Sequence, residues 1–418
     1  MALNNKADLI TIGNELLSGR TTDTNSAWLA NQLDQLGIKI SRISSVGDTR
    51  DDILKILHEA GERAGVVIMT GGLGPTSDDI TKPVLCEFFG TQLVFSEEVF
   101  NHIKTLLAGR DCKVNENNRK QAEIPESAIP LHNALGTAPG LWFEKGETIY
   151  ISLPGVPFEM KDLVTTQVIP RLKSQLTFPP SCYRTIITQG SFEAHLAEIL
   201  SGFEEQLPAG ISLAYYPSPG IIKLKIGGTG EDQETLRKSV EGEVARLREI
   251  IPQLIVGYDE ETLETIIGKL LTGREETLAV AESCTGGAIA SLITAVPGSS
   301  AYFKGGIVAY SNEIKKDQLA ISPTILDTYG AVSKQVVEDM AVNVRLLFSS
   351  TYAIAVSGIA GPTGGTPEKP VGTTWIAVSS AGSVESAMFL LGDNRQRNIQ
   401  RASVTALNML RKMILTQG

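Results

Sequence analysis

The chain has 418 residues, a formal net charge of −10 at pH 7 and a hydrophobic content of 42%. This length favours two or three domains, each with enough apolar residues to bury a core. The acidic balance argues against a protein that coats DNA or RNA, because such binding depends on basic residues that neutralise phosphates. We expect neither a signal peptide nor a membrane span, because residues 1–13 lack the basic and apolar regions of a signal peptide and no apolar run reaches about 18 residues.

The cysteines are scattered and none forms a C-x-x-C pair; they are Cys86, Cys112, Cys182 and Cys284. This spacing predicts neither a disulfide framework nor a zinc site. We therefore expect a cytoplasmic protein in a reducing environment.

The first part of the chain alternates apolar runs with helical periodicity. The pattern predicts a strand at 8–12, a helix at 24–36, a strand from 38, a helix at 51–60, a strand at 65–69, a strand at 149–153 and a helix from about 156 to 175. This alternation predicts an α/β domain whose parallel sheet has helices on both faces. Ligands in such folds bind at the carboxyl ends of the strands.

Residues 178–180 indicate a linker, after which the pattern changes. The pattern then predicts strands at 183–188, 211–216, 221–226 and 254–256 and helices at 195–207 and 231–249, which is the βαββαβ order of a small ferredoxin-like module. A third part begins with an amphipathic helix at Leu263. It continues with predicted strands at 277–281, 306–309, 353–356 and 374–378 and a closing helix at 394–415.

Ser283 lies where a predicted strand of the third part turns into a helix. The glycines Gly286 and Gly287 follow it, and their main-chain amides would face a ligand at this edge of the sheet. Two interpretations remain open at this point. Ser283 is either a nucleophile or simply the start of a tightly packed helix.

A nucleophilic serine needs a base, and the histidines all lie in the first half of the chain, at His58, His102, His132 and His195. A Ser-His-Asp triad within the third part is therefore excluded, and the base must be a Lys, Glu, Asp or Tyr. Lys315 is the candidate, because it follows directly on the strand that ends at 309. Its pKa would have to fall from about 10.4 toward ~7–8. A Cys284 thiolate is the alternative nucleophile.

Two more loops follow or precede buried strands of the third part. Residues 358–365 are rich in glycine and suit a phosphate or a ribose, and residues 369–373 lead into the next strand. Three such loops in one part favour a binding site.

These motifs resemble the C-terminal domain of CinA proteins. The resemblance lies in residues 281–287, 298–300, 310–313, 358–362 and 369–373. It implies hydrolysis of nicotinamide mononucleotide to nicotinic acid mononucleotide and ammonia, with no cofactor. It also implies a serine–lysine mechanism with an assisting tyrosine, which maps onto Ser283, Lys315 and Tyr310 and favours Lys315 over the adjacent Lys316.

In this mechanism Lys315 takes the proton from Ser283, and main-chain amides near Thr285 and Gly286 hold the oxyanion. The predicted substrate contacts of the third part are Thr285, Gly286, Gly287, Gly358, Ala360, Gly361 and Thr373.

A glycine loop with paired acids follows the predicted strand 65–69 of the first part. Gly71, Gly72 and Gly74 supply amides for a phosphate, and Asp78 and Asp79 suit a divalent cation that bridges it. An aspartate at a helix start is also a routine N-cap, worth ~0.5–2 kcal/mol without a ligand.

Other polar residues of the first part share this ambiguity. Glu15 follows another strand end and is a further candidate metal ligand. Residues 23–25, with Asn25, either cap a helix or join the site. Residues 133–140, with Gly136, and residues 115–119 are either substrate loops or surface turns.

The first part resembles the molybdopterin-binding (MoCF-like) fold in the version that forms the N-terminal half of CinA proteins. The resemblance lies in residues 15–19, 23–25, 70–76 and 153–157. It implies hydrolysis of ADP-ribose to AMP and ribose 5-phosphate with Mg, Mn or Co. Leu73 stands where molybdopterin proteins usually have a threonine, which argues against cofactor synthesis.

The combined prediction is a MoCF-like three-layer α/β/α domain at 1–175, a KH-like or ferredoxin-like α+β module at 176–257 and an α/β CinA domain at 258–418. The KH-like module is interpreted as a spacer or dimer element, because the GxxG at 227–230 lies between a strand and a helix, whereas an RNA-clamping GxxG joins two helices. The resemblance also implies a homodimer.

The leading hypothesis is a bifunctional hydrolase of pyridine-nucleotide salvage that acts on nicotinamide mononucleotide and ADP-ribose. The alternatives are one active domain only, a non-catalytic partner in DNA uptake or damage response, or molybdopterin-related nucleotidyl transfer.

Overall fold

The structure, a computed structural model, describes residues 5–76, 78–109 and 114–417. Cys112 and Ser77 lie outside these ranges, and Cys86 and Cys284 are free thiols. The described chain divides into two units, one holding residues up to 182 together with 229–236, the other holding 183–228 together with the residues from 237 onward. The three-domain division stays a prediction.

The first unit is built around a mixed sheet. The strands of this unit are β1 (Lys6–Ile12), β2 (Lys39–Val46), β3 (Val66–Thr70), β4 (Leu93–Phe95), β5 (Glu123–Pro125), β6 (Ile129–Leu131), β7 (Gly140–Lys145) and β8 (Thr148–Leu153). Of these, β4 and β5 pair in a separate two-stranded sheet. The helices of the unit are α1 (Asn14–Leu17), α2 (Asn25–Gln35), α3 (Arg50–Arg63), α4 (Thr81–Phe89), α5 (Glu97–Ala108), α6 (Glu116–Gln121), α7 (Pro157–Leu163) and α8 (Ile169–Gln175), with a π-helical turn at Val164–Val168 between the last two.

The strand order of the mixed sheet is β2–β1–β3–β8–β7–β6. The strands from β2 to β8 are parallel, as predicted, but β7 pairs antiparallel with both β8 and β6. The prediction of a wholly parallel sheet was wrong because β7 and β8 are joined by only two residues, and so short a loop connects only antiparallel neighbours.

Alternate residues of the central strands face two separate cores. Leu9 and Ile68 pack in one core, and Ile10 and Met69 pack in the other. Helices cover both faces, which confirms the three-layer α/β/α architecture. The carboxyl ends of β1, β3 and β8 meet at one edge, where the predicted glycine loop begins.

The chain continues with the module that was predicted from its βαββαβ pattern. Its elements are β9 (Ser181–Thr188), α9 (Glu193–Glu204), β10 (Ile211–Ser218), β11 (Ile221–Thr229), α10 (Gln233–Ile250) and β12 (Ile255–Tyr258). Their order along the chain matches the prediction, and the strands form a sheet in the order β10–β11–β9–β12. The GxxG motif lies at the end of β11 rather than in a loop between helices.

The remaining elements form the second sheet of the second unit and its helices. They are α11 (Leu263–Gly273), β13 (Leu278–Glu282), α12 (Ala288–Thr294), a 3₁₀ turn at Ser299–Ala301, β14 (Phe303–Val308), α13 (Asn312–Leu319), α14 (Pro323–Tyr329), α15 (Lys334–Leu347), β15 (Tyr352–Gly358), β16 (Thr373–Ser379), β17 (Val384–Leu390) and α16 (Arg395–Gln417). The strand order is β14–β13–β15–β16–β17, parallel from β14 to β15 and antiparallel beyond.

The two faces of this sheet differ in side-chain size. Val280 and Ile354 pack with the closing helix α16 on one face, whereas Ala281 and Ala355 meet Met340 of α15 on the other. Small residues on the second face allow α15 to approach the sheet closely. Among the described helices, none is both long and apolar enough to cross a lipid bilayer.

Candidate active sites

Ser283 directly follows β13, at the carboxyl end of the parallel strands. Its main-chain N–H donates to the carbonyl of Val356 on the neighbouring strand, at 3.0 Å. Only 8% of the residue is exposed. The structure thus places Ser283 at the strand-to-helix turn predicted from the sequence, with its position set by the sheet.

Lys315 reaches Ser283 from α13, whose first turn is capped by the Ser311 hydroxyl. The Lys315 Nζ lies 3.0 Å from Ser283 Oγ and donates to the Ala309 carbonyl at 2.6 Å. Lys315 is almost fully buried, and this desolvation lowers the pKa of its amine. The predicted nucleophile and base therefore lie side by side, and the amine is shifted toward the neutral form that a base requires.

Glu282 is a buried charge that was not predicted as part of the site. Its carboxylate accepts hydrogen bonds from the N–H groups of Gly287, Ile289 and Ala290, at 2.8–3.1 Å. The carboxylate thus satisfies the free amides at the start of α12, where a negative charge is also favourable. An acidic residue closing an otherwise apolar strand was the signal in the sequence that could have found it.

The predicted oxyanion amides are only partly available. The Gly286 N–H donates to the Ser283 carbonyl at 3.1 Å and the Gly287 N–H is bound by Glu282, so the assignment of these helix amides to the ligand was wrong. In the described part of the chain, the Thr285 N–H donates to no acceptor and the buried Thr285 Oγ1 has no partner. Thr285 is therefore the residue that can hold an oxyanion here.

Cys284 is packed rather than reactive. Burial raises the pKa of its thiol to about 12, which argues against the thiolate nucleophile considered as an alternative. A Cβ added to Gly358 would stand 3.0 Å from the Cys284 sulfur and 2.7 Å from Thr374 Oγ1. The close approach of these loops therefore requires glycine at this position.

Tyr310 contacts the dyad through its main chain, because its carbonyl accepts from Lys315 Nζ at 3.5 Å. Its side chain is exposed and its hydroxyl accepts a hydrogen bond from Arg395 Nη2 at 3.0 Å. Arg395 also donates to the Gly361 carbonyl at 2.9 Å. Arg395 therefore ties the tyrosine to the glycine loop; no motif in the sequence singled it out. The assisting role of Tyr310 stays a prediction.

Two further predicted substrate residues of this unit, Ala360 and Thr373, are held by hydrogen bonds within the unit. The Ala360 carbonyl accepts from Asn398 Nδ2 at 3.0 Å, and the Thr373 hydroxyl donates to the Pro370 carbonyl at 2.7 Å. Both residues are buried. Their hydrogen bonds hold the loops in shape.

A cavity of about 430 Å³ lies at the carboxyl ends of β1, β3 and β8 in the first unit. Gly71, Gly72 and Gly74 line it, as predicted. Gly71 has φ +110°, and an added Cβ would lie 2.2 Å from the Ile12 carbonyl oxygen. Its N–H donates to Leu153 O at 3.0 Å, so the amide of Gly71 is not available to a phosphate, contrary to prediction.

The predicted metal ligands Glu15, Asp78 and Asp79 all line this cavity. Asp79 accepts a hydrogen bond from the Thr76 N–H at 2.9 Å, and the N-cap position of α4 is Ile80, so Asp79 is not the N-cap of this helix. The Thr76 side chain lowers the pKa of Asp78, which therefore stays ionised. Among the described residues, no three Asp, Glu, His or Cys side chains are close enough to form a ready metal cluster. The donors still fit Mg²⁺ or a similar ion, because such ions take one or two carboxylates and complete their shell with water and phosphate.

Residues 23–25 lie both at the start of α2 and at the cavity, and their role in a site stays a prediction. Asp23 accepts from the Ser26 N–H at 2.9 Å, and it also lines the cavity together with Asn25. Asn25 Nδ2 donates to the Gly155 carbonyl at 2.8 Å. Asn115, by contrast, caps its own helix, so residues 115–119 start α6.

Gly136 lies beside the cavity rather than in its lining. Its N–H donates to Asn133 Oδ1 at 3.0 Å, and Asn133 Nδ2 donates to Glu159 Oε2 at 2.7 Å. The next residues, Thr137 and Ala138, do line the cavity. The predicted substrate loop therefore reaches the site one residue later than expected.

Comparison with known proteins gives two family matches in this chain. Residues 260–414 match the CinA C-terminal domain, and residues 8–174 match the probable molybdopterin binding domain. A CinA-like protein of Cytophaga hutchinsonii is 45% identical over 408 residues, which cover 98% of each chain. A putative competence-damage inducible protein of Halothermothrix orenii is 40% identical over 94% of each chain. The crystal structure of the CinA protein of Thermoplasma acidophilum is 36% identical over 40% of this chain and 98% of its own, with a TM-score of 0.38.

Proposed function

The chain belongs to the CinA family, and we propose that its second unit hydrolyses the carboxamide of nicotinamide mononucleotide to give nicotinic acid mononucleotide and ammonia. One observation carries this proposal: a buried lysine with a lowered pKa lies 3.0 Å from the hydroxyl of a buried serine. A nucleophile and a base in this geometry are typical of amide hydrolysis through an acyl-enzyme.

The reaction begins with the neutral Lys315 amine, which accepts the proton of the Ser283 hydroxyl while the oxygen attacks the carboxamide carbon. The Thr285 N–H and hydroxyl, which have no partner in the described part of the chain, would donate to the oxyanion. Lys315 then gives the proton to the leaving nitrogen, and ammonia departs as the C–N bond breaks. Water, activated by the same amine, hydrolyses the ester and restores Ser283.

Ammonia release from nicotinamide mononucleotide, measured in excess chelator, tests this activity. The reaction as written needs only side chains and water, so we expect release to continue without metal. Failure of the purified chain to release ammonia would contradict the proposal.

We also propose that the first unit hydrolyses the diphosphate of ADP-ribose to AMP and ribose 5-phosphate. The cavity supports this proposal because it combines a glycine loop with the carboxylates of Glu15, Asp78 and Asp79. These carboxylates would hold a divalent ion that, when bound, supplies Lewis-acid polarisation of the diphosphate and lowers the pKa of a water. The chain itself binds and orients the substrate between the glycine loop and Asn25. Metal-dependent formation of AMP from ADP-ribose tests the proposal.

A further inference from the structure

The side chain of Gln121 is a buried amide that faces the first-unit cavity without a partner. It is 2% exposed and lines the cavity, yet neither Nε2 nor Oε1 has a hydrogen-bond partner in the described ranges of the chain. A buried polar group is normally paired, and leaving one unpaired is costly. Two unpaired atoms on one side chain at the wall of a cavity indicate a group that pairs with a ligand.

The main chain holds Gln121 in this position. Gln121 is the last residue of α6, and its carbonyl accepts from Lys82 Nζ at 2.8 Å. The same amine donates to the Glu123 carbonyl at 3.0 Å and is itself buried. Lys82 thus ties the segment around Gln121 to α4. The main chain that carries the amide is therefore fixed before any ligand arrives.

The chemistry of a carboxamide narrows the ligand. Its nitrogen donates and its oxygen accepts, so a phosphate would satisfy Nε2 but repel Oε1. The adenine ring offers an amino donor beside a ring-nitrogen acceptor, and a glutamine pairs with both at once. The glycine loop and the carboxylates of Glu15 and Asp78 account for a diphosphate and its ion. The adenine and the two riboses are left without an assigned partner, and of these only the adenine presents a fixed donor beside a fixed acceptor.

We propose that Gln121 recognises the adenine base of the first-unit substrate by a paired donor and acceptor hydrogen bond, which selects adenine nucleotides. This inference rests on the proposed hydrolysis of ADP-ribose. It identifies Gln121 as a specificity residue with no part in bond cleavage.

Base recognition by Gln121 is tested by calorimetric titration of the full chain with two ligands in the presence of Mg²⁺. One is AMP, and the other is purine riboside 5′-monophosphate, which lacks only the exocyclic amine. The parent should bind AMP about tenfold more tightly or better, because a site built to pair with an amine leaves its own acceptor unpaired when the amine is missing. Gln121→Met keeps the shape of the side chain and should bind the two ligands equally.

Gln35→Met is the matched control, because Gln35 is an exposed amide on α2 of the same unit and does not line the cavity. It should keep the preference of the parent. Thermal unfolding checks that Gln121→Met is folded, and Gln121→Leu replaces it if it is not.

A preference for AMP that persists in the Gln121 variants would overturn the inference alone, since Gln121 would then contact the ribose or the phosphate or serve the fold. Absence of AMP binding to the parent would overturn it together with the proposed first-unit activity. AMP binding without hydrolysis of ADP-ribose would refute the proposed first-unit activity. Base recognition by Gln121 would then be decided by the ratio of the affinities for AMP and for purine riboside 5′-monophosphate.

Discussion

The Lys315 Nζ lies 3.0 Å from Ser283 Oγ, and the same nitrogen is held by the Ala309 carbonyl. The serine comes from the end of β13 and the lysine from α13, so the two are joined by the fold and not by a local motif. Both side chains are buried. The contact explains how the second unit can activate a serine although it contains no histidine between residues 260 and 418.

Replacing the base should separate activity from stability. Lys315→Met keeps the length of the side chain and removes the amine, so we expect deamidation of nicotinamide mononucleotide to fall roughly 10³-fold, the scale of general base catalysis. Lys316→Met is the control, because Lys316 is the adjacent lysine, is only half-buried and makes no hydrogen bond to Ser283 among the described contacts. Equal losses in both variants would contradict the assignment of Lys315.

The lowered pKa of Lys315 also predicts how stability depends on pH. The unfolded chain binds a proton on this lysine up to about pH 10.4, whereas the folded protein releases it at lower pH. Between the two pKa values the unfolded state holds more protons, so the free energy of unfolding of the parent rises with pH. Lys315→Met should remove this part of the slope and be more stable than the parent below that window. Denaturant unfolding at several pH values measures the difference, and parallel curves would argue against a buried, shifted lysine.

The pH profile of the parent activity follows from the same shift. Since only the neutral amine accepts the proton of Ser283, kcat for nicotinamide mononucleotide should rise as pH passes through the folded pKa of Lys315 and then level off. A rate that falls over this range would show that Lys315 acts in its protonated form.

Glu282 should stabilise the folded protein, although it has no assigned part in the reaction. Glu282→Ala leaves three helix-start amides of α12 without their acceptor, and we expect a loss of about 2–4 kcal/mol in the free energy of unfolding. Glu282→Gln keeps one accepting oxygen and should lose less. Chemical denaturation measures both, and an unchanged stability of Glu282→Ala would show that these amides find water instead.

Arg395 supplies a positive charge at the rim of the serine site, where it holds both the Tyr310 hydroxyl and the Gly361 carbonyl. If it also faces the substrate phosphate, Arg395→Gln should raise KM for nicotinamide mononucleotide about tenfold and leave kcat/KM for the riboside without phosphate nearly unchanged. The exposed Arg397 on the same helix provides the control, as Arg397→Gln. Equal effects on both substrates would show that Arg395 only positions the glycine loop.

The architecture was largely predictable, because apolar runs mark the central strands of the sheets and helical periodicity marks the helices that cover them. The helix α15 was missed although Val336, Met340 and Val344 give it an apolar stripe, which is the same signal that revealed α16. The antiparallel strands β7 and β17 were also missed, since strand direction depends on connections that periodicity does not show. The antiparallel direction of β7 could have been inferred from the two-residue link between β7 and β8.

The candidate sites were predictable in their residue types but not in their contacts. Ser283 and Lys315 were both named, whereas the amides of Gly286 and Gly287 were assigned to a ligand although the fold uses them itself. Hydrogen-bond partners of this kind depend on exact placement. Gln121 carries no sequence signal, because only burial and the absence of a partner among the described residues distinguish it from a surface amide.

The two units should respond differently to metal removal. Excess chelator should abolish AMP formation from ADP-ribose, and Glu15→Gln should lower it roughly 100-fold by removing a carboxylate ligand. Neither change should affect ammonia release by the second unit. AMP formation that resists chelation would contradict the assignment of Glu15, Asp78 and Asp79 as metal ligands.

The most direct test of the serine–lysine site is ammonia release from nicotinamide mononucleotide by the parent, by Ser283→Ala and by Ser291→Ala. Ser291 is an exposed serine of α12, outside the dyad, and provides the matched control. We expect release from the parent and from Ser291→Ala and a loss of at least about 10³-fold in Ser283→Ala, the scale seen when a catalytic nucleophile is removed. Release by Ser283→Ala at the rate of the parent would contradict the proposed mechanism.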